Sequence, residues 1–322
     1  MISEEFHHRA QEILSPYLGD RIPCASVFVG RLDLPDPPLE YQAGRRGLFD
    51  LASLTKALVT APLVHNFFDY KKNLGDYTDD LPDRLACLNI ENLLQHCSGL
   101  PWWSNFWINH APFENHMSWQ RRRIFVLKHL EEVFQQNPPA HPPRYSDVGY
   151  VLLGLALEKF LEQDLKNIFE NFLLERGSFE LMYHPPRDEA LPTAYCPISD
   201  KRLFGEPHDE NVRSMGGVSG HAGLFGTPLG VWKWLRFLCS HSNAFFKEGC
   251  LGWQQAKDFQ SAATFGRSDT FGHLGFTGTS FWVCPSTLKA VVFLSNRVYS
   301  QRQSPWMTQV RQQISILAEE AL

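Results

Sequence analysis

The sequence predicts an α/β protein: an antiparallel sheet assembled from both chain ends, flanked by terminal helices, with a mostly helical segment inserted between them. Three observations carry that expectation. Near the N-terminus a helical stretch, Glu4 to Tyr17, leads into the apolar run Ala25-Ser26-Val27-Phe28-Val29, a helix followed by a strand. Near the C-terminus two strand-like runs, Leu274 to Val283 and Ala290 to Asn296, flank the turn signal Pro285-Ser286-Thr287 and read as a hairpin. The middle of the chain shows helical rather than strand periodicity.

Taken in order, the first element past the N-terminal strand is a helix starting at Ser53. Ala57, Ala61, Val64 and Phe68 follow at helical spacing and form its apolar stripe. Ile90 to His96, Trp119 to Gln136 and Val148 to Leu161 are helical by the same criterion, with breaks at Pro138-Pro139 and Pro142-Pro143. A last helix has Ser304 as N-cap, Pro305 at its first position, and Trp306, Val310, Ile314 and Leu317 on one face. The expected division is a sheet domain of residues 1–58 and 228–322 and a helical insert of residues 59–227, with the active site where they meet.

Composition narrows the function classes. With 322 residues, 43% hydrophobic, and a net charge of -5, the chain can bury one large core or two coupled ones and has no electrostatic reason to bind nucleic acid. The basic cluster Arg121-Arg122-Arg123 lies in a helical stretch and reads as a solvated helix face. No apolar run approaches the ~20 residues of a membrane span. The start of the chain lacks the basic and then apolar pattern of a signal peptide, which predicts a cytoplasmic protein, or a periplasmic one if a leader was removed. The seven cysteines are scattered, with no C-x-x-C pair, and predict reduced thiols rather than a disulfide framework or structural zinc site.

The stretch richest in chemistry is Ser53-Leu54-Thr55-Lys56. Residues three apart share a helix face, so the Lys56 amine can reach the Ser53 hydroxyl and, when neutral, take its proton. A helix N-terminus also favours a developing oxyanion. Ser286-Thr287-Leu288-Lys289 repeats the spacing but sits in a turn feeding a strand, where Lys289 does not meet Ser286. Tyr145-Ser146-Asp147 precedes the apolar helix, so Ser146 or Asp147 can cap it and Tyr145 stands at its mouth. Further on, Phe271-Gly272-His273-Leu274-Gly275-Phe276-Thr277-Gly278 enters the hairpin, its glycines admitting close approach of a ligand to the backbone.

Other candidates keep two readings. His221, among Gly216, Gly217, Gly220, Gly223 and Gly226, either lines a pocket or is a loop residue. That stretch lacks the G-K-[ST] ending of a phosphate loop, and Ser219 fails G-x-S-x-G because His221 replaces the second glycine. His208-Asp209-Glu210 lacks a second histidine at i+4 and reads as loop hydrogen bonding rather than metal ligation. Trp102, Trp103, Phe106 and Trp107 either bind an apolar acyl group or belong to the core.

In this order Ser53-x-x-Lys56, Tyr145-x-Asp147 and His273-x-Gly275 resemble the serine β-lactamase and penicillin-binding-protein superfamily. The branch they resemble most holds class C β-lactamases, D,D-peptidases, D-aminopeptidases and β-lactamase-like carboxylesterases. The phrases Ile90-Glu91-Asn92-Leu93-Leu94-Gln95-His96-Cys97-Ser98-Gly99-Leu100-Pro101 and His208-Asp209-Glu210-Asn211 leading to Gly220-His221-Ala222-Gly223-Leu224-Phe225 extend the resemblance over almost the whole chain. It implies a β-lactamase/transpeptidase-like fold, Ser53 as acylated nucleophile, Lys56 as its basic partner, and Tyr145 as the second base. It also implies an oxyanion hole from the N–H groups of Ser53 and Phe276, and Asp147, His273, Gly275, His221, Trp102 and Trp103 around the substrate. No cofactor or metal is implied, and the expected partner is a small ester, amide or peptide. Asp147 stands where many members carry Asn, and His273 where penicillin-recognising members carry Lys. The second difference argues against strong β-lactam hydrolysis. The alternative is a catalytically weak penicillin-binding-like protein that binds peptides or a protein partner.

Overall fold

A computed structural model describes residues 2–34, 38–106, 117–136, 144–241 and 250–322. Trp107 and the proline pairs at 138–139 and 142–143 lie outside these described residues. The chain divides into two compact units, the first formed by Met1–Leu54, Ser178–His208 and Leu224–Leu322, the second by Thr55–Gly177 and Asp209–Gly223. Residues 178–208, expected within the helical insert, therefore belong to the first unit. They contain short strands, and Leu181–Met182 pairs with Phe225–Gly226, which in turn pairs with Phe49–Asp50.

In the first unit the sheet has six antiparallel strands in the order Leu39–Ala43, Ala25–Arg31, Lys289–Ser295, Ser280–Cys284, Phe271–Leu274 and Gln254–Gln255. The chain ends meet in its middle, where Val27 pairs with Phe293 and Val29 with Val291. Helices Ile2–Leu14 and Met307–Glu320 cover one face. Phe6, Ala10 and Leu14 from the first, and Val310, Ile314 and Leu317 from the second, pack with Val27, Val29, Trp282, Val291 and Phe293. Each large apolar side chain so buried contributes about 1.5–3 kcal/mol. Phe28 faces the other way, its ring 6.4 Å from Trp232 of helix Pro228–His241. Both faces are covered, which is why every residue from Ala25 to Gly30 and from Ser280 to Cys284 is buried instead of every second one.

Two sequence expectations change here. Leu274 to Val283 is not one strand: Phe271–Leu274 and Ser280–Cys284 are separate strands joined by a tight turn. The turn is closed by Gly275 N–H to Thr279 O at 2.7 Å, with Gly278 at φ +99. The last helix begins at Met307, not at Ser304 and Pro305, because the Met307 N–H bonds Ser304 O and makes residues 304–306 a turn.

The second unit is built on helix Asp147–Leu161, buried from Val148 to Glu158. Helices Ile90–Leu94, Trp119–Gln136 and Leu165–Leu174 surround it. The arginine cluster is not a solvated face. Arg121 is exposed, but Arg122 and Arg123 are 1% and 4% exposed, on the inward side of their helix with Val126 and Leu130. Arg122 reaches Glu158 and Asp164, each at 2.6 Å, and donates to Met215 O at 2.8 Å. Arg123 pairs with Asp80 and donates to Leu155 O at 2.9 Å. Charge counting along a sequence cannot reveal such pairing, because the partners lie 32 to 93 residues away.

Candidate active site

The second unit gathers Lys56, Tyr145 and Asp147. The helical run from Leu54 to Phe67 contains a widened π turn at Lys56–Thr60, in which the Ala61 N–H bonds Lys56 O. Such turns are rare and concentrate at functional positions. Ala57, Ala61 and Val64 are fully buried and Phe68 nearly so, as their spacing predicts, and Lys56 is fully buried with them. Its Nζ lies 2.8 Å from Asp147 Oδ1, donates to His221 O at 3.0 Å, and stands 5.0 Å from the centre of the Tyr145 ring. Burial by itself lowers the pKa of this amine. The Asp147 charge, with Tyr145, outweighs burial and raises it above the ordinary lysine value, so Lys56 carries its proton at neutral pH.

Asp147 is available to Lys56 because its neighbour takes the capping role. Ser146 is the N-cap: its Oγ accepts from the Gly149 N–H at 3.2 Å and donates to Pro101 O at 2.7 Å. The Asp147 N–H bonds Trp102 O at 2.8 Å, and the Ser146 N–H bonds His96 Nδ1 at 3.0 Å. The 145–147 segment is thus fastened to residues 96–102 along its length. Trp102 is 54% exposed and stacks with half-buried Trp103, centroids 5.9 Å apart, whereas Phe106 is core.

His221 contributes its carbonyl to this cluster. Its imidazole is 1% exposed, with Nδ1 2.8 Å from Ser219 Oγ and Nε2 3.5 Å from Asp209. Thr60 Oγ1 donates to the adjacent Gly220 O at 2.6 Å, and a Cβ at Gly220 would lie 2.2 Å from Tyr150 O. Asp209 also caps the short helix Glu210–Ser214, which accounts for the His208-Asp209-Glu210 motif. Among the described residues no group of three His, Cys, Asp or Glu side chains is placed to hold a metal, and no helix is long and apolar enough to cross a membrane.

In the first unit Ser53 occupies a half-buried turn directly before the helical run. Ala52 beside it has φ +47, a left-handed conformation that costs a non-glycine residue of order 1–3 kcal/mol, and its N–H is held by Asp50 Oδ1 at 2.9 Å. The same segment is tied to the turn after strand Phe271–Leu274. Thr277 Oγ1 donates to Asp50 O at 2.6 Å and Thr279 Oγ1 to Leu51 O at 3.1 Å. Arg311, from the last helix, donates to Gly275 O at 2.6 Å and Thr279 O at 2.8 Å. Phe276 at the turn's tip is 43% exposed, its ring 5.1 Å from that of His208 and 4.6 Å from the Arg297 guanidinium. His273 is 1% exposed, with Nδ1 2.8 Å from Leu274 O. Ser286 lies in the turn before strand Lys289–Ser295, as expected.

Sequence reasoning did not single out His96, Arg311 or the π turn. His96 stands inside the 90–101 phrase and was legible there. The other two depend on tertiary contacts and backbone geometry that no residue type announces.

Known proteins bear on this arrangement. The chain is 25% identical over 327 residues to a protein of Escherichia coli K12 named putative D-alanyl-D-alanine carboxypeptidase, covering 84% of this chain and 74% of that one. Among solved structures, the D-amino acid amidase of Ochrobactrum anthropi SV3 superposes with a TM-score of 0.66 at 17% identity, covering 98% of each chain. EstCE1, described as a hydrolase with promiscuous acyltransferase activity, does so with a TM-score of 0.69 at 16% identity, covering 98% of this chain and 99% of its own. Residues 39–313 match the family described as Beta-lactamase, and with its α/β fold of antiparallel sheet and helices this chain belongs to that family of serine hydrolases.

Proposed function

We propose that this protein hydrolyses small esters or amides through an acyl-enzyme on Ser53, with D-amino-acid or cell-wall-type peptides and carboxylic esters as the leading substrates and weak β-lactamase activity at most. The observation that carries the reading is the fully buried Lys56 amine, in the helical run that begins directly after Ser53, 2.8 Å from Asp147 and 5.0 Å from the Tyr145 ring. The names of the carboxypeptidase, amidase and esterase relatives support the substrate range.

Because Asp147 holds the proton on Lys56, Tyr145 is the base in this reading. The ammonium stabilises the phenolate, which accepts the Ser53 proton as Ser53 Oγ adds to the substrate carbonyl. The oxyanion is met by the N–H groups of Ser53 and Phe276, a contribution of about 3–4 kcal/mol per donor in other hydrolases. Collapse expels the alcohol or amine, which takes the proton back from Tyr145. Water then repeats the sequence to release the acid. Gly275 shapes the turn carrying Phe276, Trp102 and Trp103 offer apolar surface to an acyl group, and His273 and His221 complete the surroundings. His273 in place of a lysine weakens recognition of a β-lactam carboxylate.

Labelling with a fluorophosphonate, then peptide mapping, tests the nucleophile. Label is expected on Ser53 and lost in Ser53→Ala. Label in that variant, or on Ser219 or Ser286, overturns the reading. Nitrophenyl esters, D-amino-acid anilides and a chromogenic cephalosporin, assayed side by side, rank the substrates, and a cephalosporin preferred over both others would exclude the proposed range.

A further inference from the structure

We propose that His96 is a positioning residue for the reaction, fixing the Tyr145 ring beside Lys56 through the ring's face and through the backbone of Ser146. The proposal rests on the reading of Tyr145 as base. His96 touches Tyr145 in two ways. Its imidazole lies against the Tyr145 ring with centroids 4.3 Å apart and planes 34° from parallel, and its Nδ1 accepts the N–H of Ser146, the next residue, at 3.0 Å. The imidazole also packs against Tyr150, with centroids 5.1 Å apart, whose hydroxyl donates to Leu94 O at 2.9 Å. Tyr145 therefore neighbours both the Lys56 ammonium, 5.0 Å from its ring centre, and the His96 imidazole.

Two features separate His96 from an ordinary packing residue. First, it has φ +60, the left-handed region that glycine adopts without strain and histidine does not. Such a conformation persists where its surroundings hold it, as the Ser146 N–H and the two tyrosine rings do here. Second, the ring is neutral. Burial, then the nearby Lys56 charge, push its pKa down to about 3, against the opposing influence of Asp147. Nδ1 accepts a hydrogen bond, so the neutral ring carries its proton on Nε2. A neutral ring can lie against a phenolate-forming tyrosine without competing with Lys56 for its charge.

The experiment compares His96→Gly and His96→Asn with the parent and Tyr145→Phe on one nitrophenyl ester, with rates expressed per site titrated by fluorophosphonate. His96→Gly relieves the backbone strain but removes ring and acceptor. Its kcat should fall about 10- to 100-fold with KM within a few-fold of the parent, the scale of loss from a misplaced reacting group. Asparagine tolerates a left-handed φ and its side-chain oxygen can accept from the Ser146 N–H, so His96→Asn should recover part of that loss. Parent-like kcat in His96→Gly, or no recovery in His96→Asn, overturns the inference. If instead Tyr145→Phe keeps the parent rate, it is the reading of Tyr145 that fails.

Discussion

Lys56 and Asp147 form an ion pair of 2.8 Å in which the amine is fully buried and the carboxylate side chain is 19% exposed. Removing the partner of a buried charge costs about 3–5 kcal/mol, more than the pair itself contributes. In Asp147→Asn burial acts on Lys56 without the opposing carboxylate, so the amine's pKa falls. A group whose folded pKa is raised contributes stability that is present below its unfolded pKa, and the parent pair loses it as pH climbs through the alkaline pKa of Lys56.

Asp147→Asn should therefore shift the rising limb of kcat/KM toward lower pH, because a neutral lysine becomes available as base. A pH-rate profile on a nitrophenyl ester measures it. An alkaline shift or an unchanged profile would mean that Asp147 has no electrostatic hold on the reacting proton.

Tyr145→Phe should lower kcat/KM at every pH, since it removes the proton carrier and leaves the Lys56–Asp147 pair in place. A loss confined to one limb of the profile would assign the base to another group.

Arg122→Met should cost about 3–5 kcal/mol of stability at pH 7.5, by stranding fully buried Glu158. Burial already raises the Glu158 pKa, against the pull of Arg122. Without the arginine it rises further, the folded state binds a proton that the unfolded state does not, and stability climbs as pH falls. Urea unfolding at pH 7.5 and 5.5 should show the deficit shrinking at the lower pH. A deficit independent of pH would show that Glu158 is not the stranded charge.

Gly275→Ala should cut kcat/KM about 10- to 100-fold. The new Cβ would lie 1.9 Å from Thr279 Oγ1 and 2.8 Å from Leu51 O, so the turn carrying Phe276 must part from the segment leading to Ser53. Steady-state kinetics with a melting curve check it. Parent-like kinetics would remove the Phe276 N–H from the proposed oxyanion hole.

The sequence by itself determined the elements whose signal is local and periodic. Helix Trp119–Gln136 and the apolar stripe after Lys56 follow from the 3.6-residue repeat, and the family was legible because Ser53, Lys56, Tyr145, Asp147 and His273 stand in motifs with fixed order. Tertiary structure decided what depends on distant partners. The strand-like run Leu274 to Val283 is interrupted by a turn whose Thr277 and Thr279 bond to Asp50 and Leu51, more than 220 residues away. Arg122 turns inward because Glu158 and Asp164 wait there. Asp147 is an ion-pair partner and not a cap because Ser146 took the cap and folding brought a buried amine to it. A side chain's charge is written in the sequence, but its energy depends on solvent and on the neighbouring charges, and folding alone brings those together.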